Sequence, residues 1–218
     1  MKIYFVRHGE SVSNALGLRQ GPNGGLTAKG IKQAKAVAKK FSKIPLDLIV
    51  SSPYDRAKLT AQIISKAIGK KIVYSPLFIE RRNPAHLFGK SIEDPESLKI
   101  TELIYKNYHN KDWRHSNEEN FNDLRKRGQQ AIRFIEKLSP VKKNILAVTH
   151  GLFMRMILAQ MMMGNKLDSQ IFFKIMNFCK TANTGIMICE YIADKKKSRY
   201  HKWRLTTWNE HAHLKRLI

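Results

Sequence analysis

The sequence contains few cysteines and no long apolar run. Two cysteines in 218 residues are too few for the disulfide framework that stabilises small secreted proteins. No stretch reaches the roughly 20 apolar residues that a membrane-spanning helix needs. The N-terminus enters an apolar strand pattern at once, without the basic and apolar regions of a secretory leader. We therefore expect two buried free thiols, a cytoplasmic location and no association with a membrane.

Acidic residues are also scarce. The chain has 17 Asp and Glu residues against 40 Lys and Arg residues, a net charge of +23. A field of that sign attracts phosphorylated metabolites, nucleic acids and anionic membranes alike. Because the lysines are scattered over predicted helices, solvated helix faces explain them most simply, and we do not expect a nucleic-acid partner. No metal-ligand spacing and no P-loop motif occurs, so we expect no metal and no cofactor.

Short apolar patterns that are typical of strands alternate with amphipathic helix patterns. Strands are predicted at residues 2–6, 47–50, 71–74, 144–149, about 184–192 and about 200–207. Helices are predicted behind the N-cap Thr27, from the Ser51-Ser52-Pro53 start, over 95–108 and 121–138, and at 152–163 and 168–178. The lysine-rich segment Asp194–Ser198 is predicted to be a solvated turn.

This alternation predicts an α/β fold, a three-layer αβα sandwich with a mainly parallel, mixed central sheet. The last two strands would form a hairpin that adds an antiparallel edge. No flexible linker or internal repeat divides the chain. We expect one domain over residues 1–218, in which 76–120 is an insertion that covers the active site.

Charged residues stand at the ends of three predicted strands. Arg7 and His8 follow the first strand, and Arg56 lies in the first turn of the helix after the second strand. His150 follows the apolar strand predicted at residues 144–149. The carboxyl ends of parallel strands share one edge of the sheet, where crevices open. We therefore expect these side chains to form a positive pocket about the size of one phosphoryl group, completed by backbone N–H groups of helix N-termini.

These residue types suit phosphoryl transfer to a histidine. A neutral imidazole nitrogen can attack phosphorus while arginines neutralise charge on the equatorial oxygens. The second histidine is more useful protonated, as a further donor. Glu80, at the start of the insertion, is the best candidate for the acid that protonates the leaving oxygen. Glu10 is its rival, although a first-turn residue that complements a helix dipole is the better interpretation there.

Four motifs in order carry a resemblance to a known family. They are Arg7-His8-Gly9-Glu10-Ser11 with Asn14; Leu26-Thr27 with Gly30, Gln33 and Ala34; Ser51-Ser52-Pro53 with Arg56, Ala57, Thr60 and Ala61; and Val148-Thr149-His150-Gly151. Together they resemble the histidine phosphatase superfamily, and more closely its phosphoglycerate-mutase-like branch. The likeness runs from residue 3 to about residue 190.

The resemblance implies a metal-independent enzyme that works through a phosphohistidine. It implies His8 as the residue that is transiently phosphorylated, with Arg7, Arg56 and His150 as the phosphate clamp. Glu80 matches the proton donor of the family in a looser motif.

Three further positions are implied with less detail. Asn14 is similar to an asparagine of the phosphate pocket, and Gly151 belongs to the matching His-Gly motif that binds phosphate. Gln20 either faces the same pocket or has a structural role in its loop.

The sequence departs from the family directly after the acid. The segment from Arg81 to Gly89 replaces the Tyr-Gly or Gly-x-x-Glu-Gly continuation of mutases and many phosphatases. Because that segment normally shapes substrate choice, specificity does not carry over. Arg81 and Arg82, with His86, either bind a second anionic group or are exposed charges on a loop.

Three functions remain open at this point. The first is a phosphomonoester hydrolase acting on a small phosphorylated metabolite or a phosphoprotein. The second is a phosphoglycerate-type mutase, which the altered segment after Glu80 and the short chain disfavour. The third is a basic module that only binds phosphate groups or nucleic acid, which the combination of His8 and Glu80 disfavours. Substrate, oligomeric state and pathway are not set by the sequence.

Overall fold

A computed structural model describes residues 1–110, 112–193 and 202–215. The strands are β1 (Lys2–Arg7), β2 (Leu48–Ser51), β3 (Ile72–Tyr74), β4 (Asn144–Thr149), β5 (Ile186–Tyr191) and β6 (Trp203–Glu210). The helices are α1 (Val12–Ala15), α2 (Ala28–Phe41), α3 (Asp55–Ile68), α4 (Pro95–Lys106), α5 (Phe121–Leu138), α6 (Gly151–Met163) and α7 (Ser169–Phe178). The turn predicted at Asp194–Ser198 lies outside the described residues.

The six strands form one mixed sheet in the order β3-β2-β4-β1-β5-β6. The first four strands of the chain are parallel, and β5 and β6 run antiparallel to their neighbours. Arg7 at the end of β1 stands opposite Thr149 at the end of β4. The next residue of each strand, His8 and His150, therefore leaves the sheet on the same edge.

Alternation along the strands creates a helical layer on each face. Ile3 and Phe5 of β1 point into a core with α5 and α6, whereas Tyr4 and Val6 point into a core with α2 and α3. The same alternation occurs in β2 and β4, where odd and even positions belong to opposite cores. The predicted three-layer sandwich with a mixed sheet is confirmed.

Local hydrogen bonds explain two differences from the predicted helices. The helix after β2 begins at Asp55, two residues later than the proline pattern indicates, because the Ser52 hydroxyl accepts from the Tyr54 N–H and holds residues 52–54 in a turn. The sequence pattern gives no bounds for the short helix α1 behind β1. Its capping box pairs Ser11 with Asn14 within a single turn, which is too short to show a helical period.

Segment 76–120 leaves the sheet after β3 and returns at α5. Its helix α4 packs Ile100 and Ile104 into the same core as Leu124 of α5 and Phe172 of α7. That this segment is an insertion within one domain stays a prediction. Among the described helices, none is long and apolar enough to cross a lipid bilayer.

Candidate active site

His8 occupies the first position after β1, where the chain turns away from the sheet. Its side chain is only 3% exposed. Nδ1 lies 2.7 Å from the carbonyl oxygen of Gly9, so this nitrogen carries the proton, and Nε2 lies 3.3 Å from Nε–H of Arg56. Burial, followed by the charges of Arg56 and Arg7, holds the pKa of His8 well below its usual value. The imidazole is therefore neutral, with the lone pair on Nε2.

Arg56 is fixed in the first turn of α3. It is 2% exposed, and its guanidinium donates to the Gly21 carbonyl over 2.8 Å. One turn later, Thr60 donates to the Arg56 carbonyl and accepts from the Gly9 N–H. These contacts tie α3 to the loop behind β1, so the guanidinium stays against His8.

Arg7 approaches the pocket from the other side. Its Nη1 donates to the Thr181 carbonyl over 2.7 Å, and its buried Nε has no hydrogen-bond partner within the described structure. Gly151 makes this approach possible, because a Cβ there would lie 2.7 Å from the Thr181 hydroxyl and 3.4 Å from Nε of Arg7. Burial is the main cause of the lowered pKa of Arg7.

His150 caps the N-terminus of α6 directly after β4. It is fully buried, its ring centroid lies 5.1 Å from that of His8, and its Nε2 lies 2.9 Å from the Ser52 hydroxyl. Burial, followed by the charge of Arg56, holds the pKa of His150 well below its usual value. The sequence suggested a protonated His150, but these surroundings favour a neutral ring that donates through one N–H.

Glu80 reaches the same crevice from the segment after β3. Its two carboxylate oxygens accept hydrogen bonds from the backbone N–H groups of Arg81, Leu152 and Phe153, at 3.0 to 3.2 Å. The last two belong to the first turn of α6, which His150 caps. Glu80 is also close enough to raise the pKa of Arg7 and of Arg56, against the lowering by burial. The charge of the carboxylate therefore acts on both arginines.

The comparisons with known proteins agree with this geometry. The profile of the histidine phosphatase superfamily (branch 1) matches residues 3–209. The chain belongs to this superfamily. The predicted family is thereby confirmed.

Relatives with phosphatase names match almost the whole chain. The adenosylcobalamin/alpha-ribazole phosphatase of Escherichia coli K12 is 27% identical over 190 residues, which cover 84% of this chain and 89% of that protein. A mutant phosphoserine phosphatase from Entamoeba histolytica, in complex with phosphoserine, superposes with a TM-score of 0.76 at 26% identity and covers 98% of both chains. These names support the predicted class of phosphomonoester hydrolases.

A shorter match concerns mutases. A probable phosphoglycerate mutase of Serratia proteamaculans is 39% identical over 77 residues. That segment covers 35% of this chain and 36% of that protein, so the match spans about a third of the mutase.

Two further predicted residues lie near the chain behind His8, Asn14 in α1 and Gln20 in the loop that follows α1. Asn14 accepts from the Asn183 amide at 3.4 Å, and Asn183 also donates to the His8 carbonyl at 3.1 Å. Gln20 accepts from the Ser11 hydroxyl at 2.9 Å. Asn183 was missed as a contact of His8, although the Asn-Thr-Gly pattern at 183–185 was visible.

Glu10 contacts the N-terminus of α2 rather than that of α1. Its carboxylate accepts from the hydroxyl of Thr27, the N-cap of α2, at 2.8 Å and lies 3.6 Å from Lys29 Nζ. The sequence assigned it to the first turn of a helix behind β1, which is wrong because α1 begins at Val12. The acidic side chain of Glu10 therefore complements the N-terminus of α2.

The residues after Glu80 differ in exposure. Arg81 is buried, donates to the Asn83 side chain at 2.9 Å and lies over the Tyr105 ring. The side chain of Arg82 is 54% exposed, and His86 is exposed beside His115. Arg81 therefore packs within the protein rather than standing as a free loop charge.

Across residues 1–110, 112–193 and 202–215, no group of three or more His, Cys, Asp or Glu side chains could hold a metal ion.

Proposed function

We propose that this protein is a metal-independent phosphomonoester hydrolase that works through a phosphohistidine on His8. The observation that carries the proposal is the state of His8. Its Nδ1 is hydrogen-bonded to the Gly9 carbonyl, and its neutral Nε2 accepts from Arg56 while the charge of Arg7 acts on the same ring. A buried, neutral nitrogen among cationic donors is suited to attack a phosphorus atom whose oxygens those donors hold.

In the first half-reaction, the Nε2 lone pair forms a bond to phosphorus and the bond to the leaving oxygen breaks. The electron pair of that bond stays on the leaving oxygen, which takes a proton from the carboxyl group of Glu80. Arg7 and Arg56 bind the equatorial oxygens, and the N–H of a neutral His150 adds a further donor.

In the second half-reaction, water attacks the phosphohistidine. The carboxylate of Glu80 takes a proton from that water as the new oxygen–phosphorus bond forms. The bond between phosphorus and Nε2 breaks, its electron pair returns to the imidazole, and inorganic phosphate leaves. His8 is again neutral, as at the start.

Two other residues complete the proposed phosphate pocket, and a third supports its loop. Gly151 is the first residue of α6, so its backbone N–H would donate to an anion bound at that helix terminus. The amide of Asn14 is placed by Asn183 beside the His8 backbone. Gln20 holds the loop that carries both Ser11 and the Gly21 carbonyl bound by Arg56.

The proposed substrate is a small phosphorylated molecule. The Entamoeba histolytica phosphoserine phosphatase, which shares this fold, has been solved with phosphoserine and with 3-phosphoglyceric acid. Both ligands are phosphate esters with a carboxylate, so they are the first compounds to test. A cytoplasmic location fits the two free cysteines and belongs to the same proposal.

The deciding experiment measures phosphate release from p-nitrophenyl phosphate in the presence of a metal chelator. The wild-type protein should hydrolyse it, His8→Ala should not, and a reaction quenched in alkali, in which the phosphorus–nitrogen bond survives, should trap phosphate on His8. His211→Ala is the matched control, since His211 is exposed and its ring contacts the Asn209 carbonyl. Undiminished hydrolysis by His8→Ala would contradict the mechanism.

The local match to a phosphoglycerate mutase supports one alternative. A mutase would return the phosphoryl group from His8 to a bound acceptor rather than to water. It would interconvert phosphoglycerates only with a bisphosphorylated primer and would release little phosphate. Measuring both products from 3-phosphoglycerate separates the two activities.

A further inference from the structure

Arg127 of α5 lies beneath the segment that carries Glu80. Its guanidinium donates five hydrogen bonds, which is the full capacity of an arginine. Nη1 donates to the carbonyls of Leu77 and Ile79 at 3.1 and 2.8 Å, and Nη2 donates to the carbonyl of Glu80 at 3.3 Å. Nη2 and Nε also bind the two carboxylate oxygens of Glu119, each at 2.7 Å.

Glu119 also binds the chain after Glu80. Its carboxylate accepts from the Arg82 N–H at 3.1 Å, and its own N–H donates to the Arg82 carbonyl at 3.0 Å. The Arg127–Glu119 pair is almost completely buried and therefore little screened by solvent. Residues on both sides of Glu80 are thus fixed to one rigid ion pair.

Arg127 also touches the helix that receives the carboxylate. Its guanidinium carbon lies 4.4 Å above the centre of the Phe153 ring. The backbone N–H of Phe153 is one of the three groups that hold the Glu80 carboxylate. One side chain therefore contacts both the segment that supplies the acid and the helix turn on which the acid rests.

We propose that Arg127 and Glu119 are positioning residues that set the place of the Glu80 carboxyl group relative to the leaving oxygen. This inference rests on the proposed function, because it concerns the residue assigned there as the acid. Neither side chain would touch substrate. Because proton transfer requires the donor within hydrogen-bond reach of its target, a small displacement of segment 77–82 would weaken it sharply.

The test compares two esters that differ in their need for an acid. An alkyl phosphate expels a strongly basic alkoxide, which must be protonated, whereas p-nitrophenyl phosphate expels a stable anion. The readout is the ratio of kcat/KM for the alkyl ester to kcat/KM for the aryl ester, which cancels any general loss of active protein. We expect this ratio to fall about 10- to 100-fold in Arg127→Gln and in Glu119→Gln.

A double variant separates positioning from a merely structural role. Glu80→Gln should lower the ratio by itself, and Arg127→Gln should then lower it little further, because both changes remove the same proton transfer. If the two reductions multiply instead, Arg127 does not act through Glu80 and the proposal is overturned. An equal loss for both esters in Arg127→Gln would overturn it as well.

Two controls keep the result interpretable. Arg125→Gln makes the same change of charge on α5, at a residue that bonds the Leu167 carbonyl away from Glu80, and should leave the ratio unaltered. If Arg127→Gln does not fold, Arg127→Lys keeps the charge beside Glu119 but has three donors rather than five, and it should show the same fall. A wild-type protein inactive on both esters would instead refute the proposed function itself.

Discussion

Arg56 donates a hydrogen bond from Nε to Nε2 of His8 over 3.3 Å. The contact requires an unprotonated Nε2, and the guanidinium charge adds to burial in lowering the pKa of His8. The same guanidinium is the second cause, after burial, of the lowered pKa of His150. The cationic pocket therefore keeps both of its imidazoles neutral.

This relationship can be measured by titrating the histidine rings with NMR. We expect the signals of His8 and His150 to remain those of neutral imidazole at pH 5.5, where free histidine is mostly protonated. Arg56→Met removes one positive neighbour and should move the pKa of His8 upward. Protonation of His8 in the wild-type protein near pH 6.5 would contradict the description of the pocket.

The two histidines also make stability depend on pH. Their pKa values lie below those of the unfolded chain, so the unfolded state binds more protons as the pH falls below about 6.5. Their contribution is complete above that pH and is lost on acidification, by about 1.4 kcal/mol per pH unit for each histidine. In urea unfolding at pH 7.5, 6.0 and 5.0, His8→Gln and His150→Gln should each reduce the slope by about one proton.

Gly151 allows Arg7 and Thr181 to meet at the start of α6. In Gly151→Ala, the new methyl group would lie 2.7 Å from the Thr181 hydroxyl, so that side chain or the arginine beside it must move. We expect kcat/KM for p-nitrophenyl phosphate to fall about tenfold or more, because the phosphate clamp loses its geometry. Adding Thr181→Ala removes the clashing hydroxyl and should restore part of the activity. If Thr181→Ala restores no activity, the clash with the Thr181 hydroxyl is not the cause of the loss in Gly151→Ala.

Gly30 touches the loop behind His8 at a point that admits no side chain. A Cβ at Gly30 would lie 2.0 Å from the Glu10 carbonyl oxygen, which is backbone and cannot rotate away. Gly30→Ala should therefore destabilise the protein by about 2–3 kcal/mol, although alanine normally favours a helix. Gly128→Ala is the matched control, since its Cβ would meet only the flexible Met156 side chain, at 3.0 Å. Urea unfolding should show a clearly smaller loss for Gly128→Ala.

The two thiols should differ in reactivity. Burial raises the pKa of Cys189 to about 12. Cys179 is only partly buried, and burial raises its pKa as well. Because the thiolate is the reactive form, a thiol reagent at pH 8 should modify Cys179 first and Cys189 only when the protein unfolds. Mass spectrometry of the labelled peptides measures this order. Equal labelling rates in the native protein would contradict it.

The strand-end residues could be found from the sequence because their positions follow from local patterns. An apolar run that stops at Arg7 or at His150 marks the end of a buried strand, and parallel strands bring such ends together. The register of β1 against β4 then places His8 beside His150 without further information. The start of α3 was missed because the Ser52 side chain, rather than the proline after it, decides where that helix begins.

The supports of Glu80 could not be predicted in the same way. The carbonyl that Arg127 binds in residue 79 is 48 residues away in sequence, and the Phe153 N–H that holds the Glu80 carboxylate is 73 residues away. Neither contact produces a period or a spacing in the chain. Arg127 looks like an ordinary helix arginine until α5 is packed beneath segment 77–82.

The central position of β1 has a consequence for synthesis of the chain. The ribosome makes β1 before either of its partners in the sheet, which are β4, beginning at Asn144, and β5, beginning at Ile186. Until those residues emerge, both edges of β1 lack their native hydrogen bonds, and an unpaired apolar strand readily joins other chains. The apolar residues that bring His8 to its place therefore have both of their native neighbours only after β5 has been made.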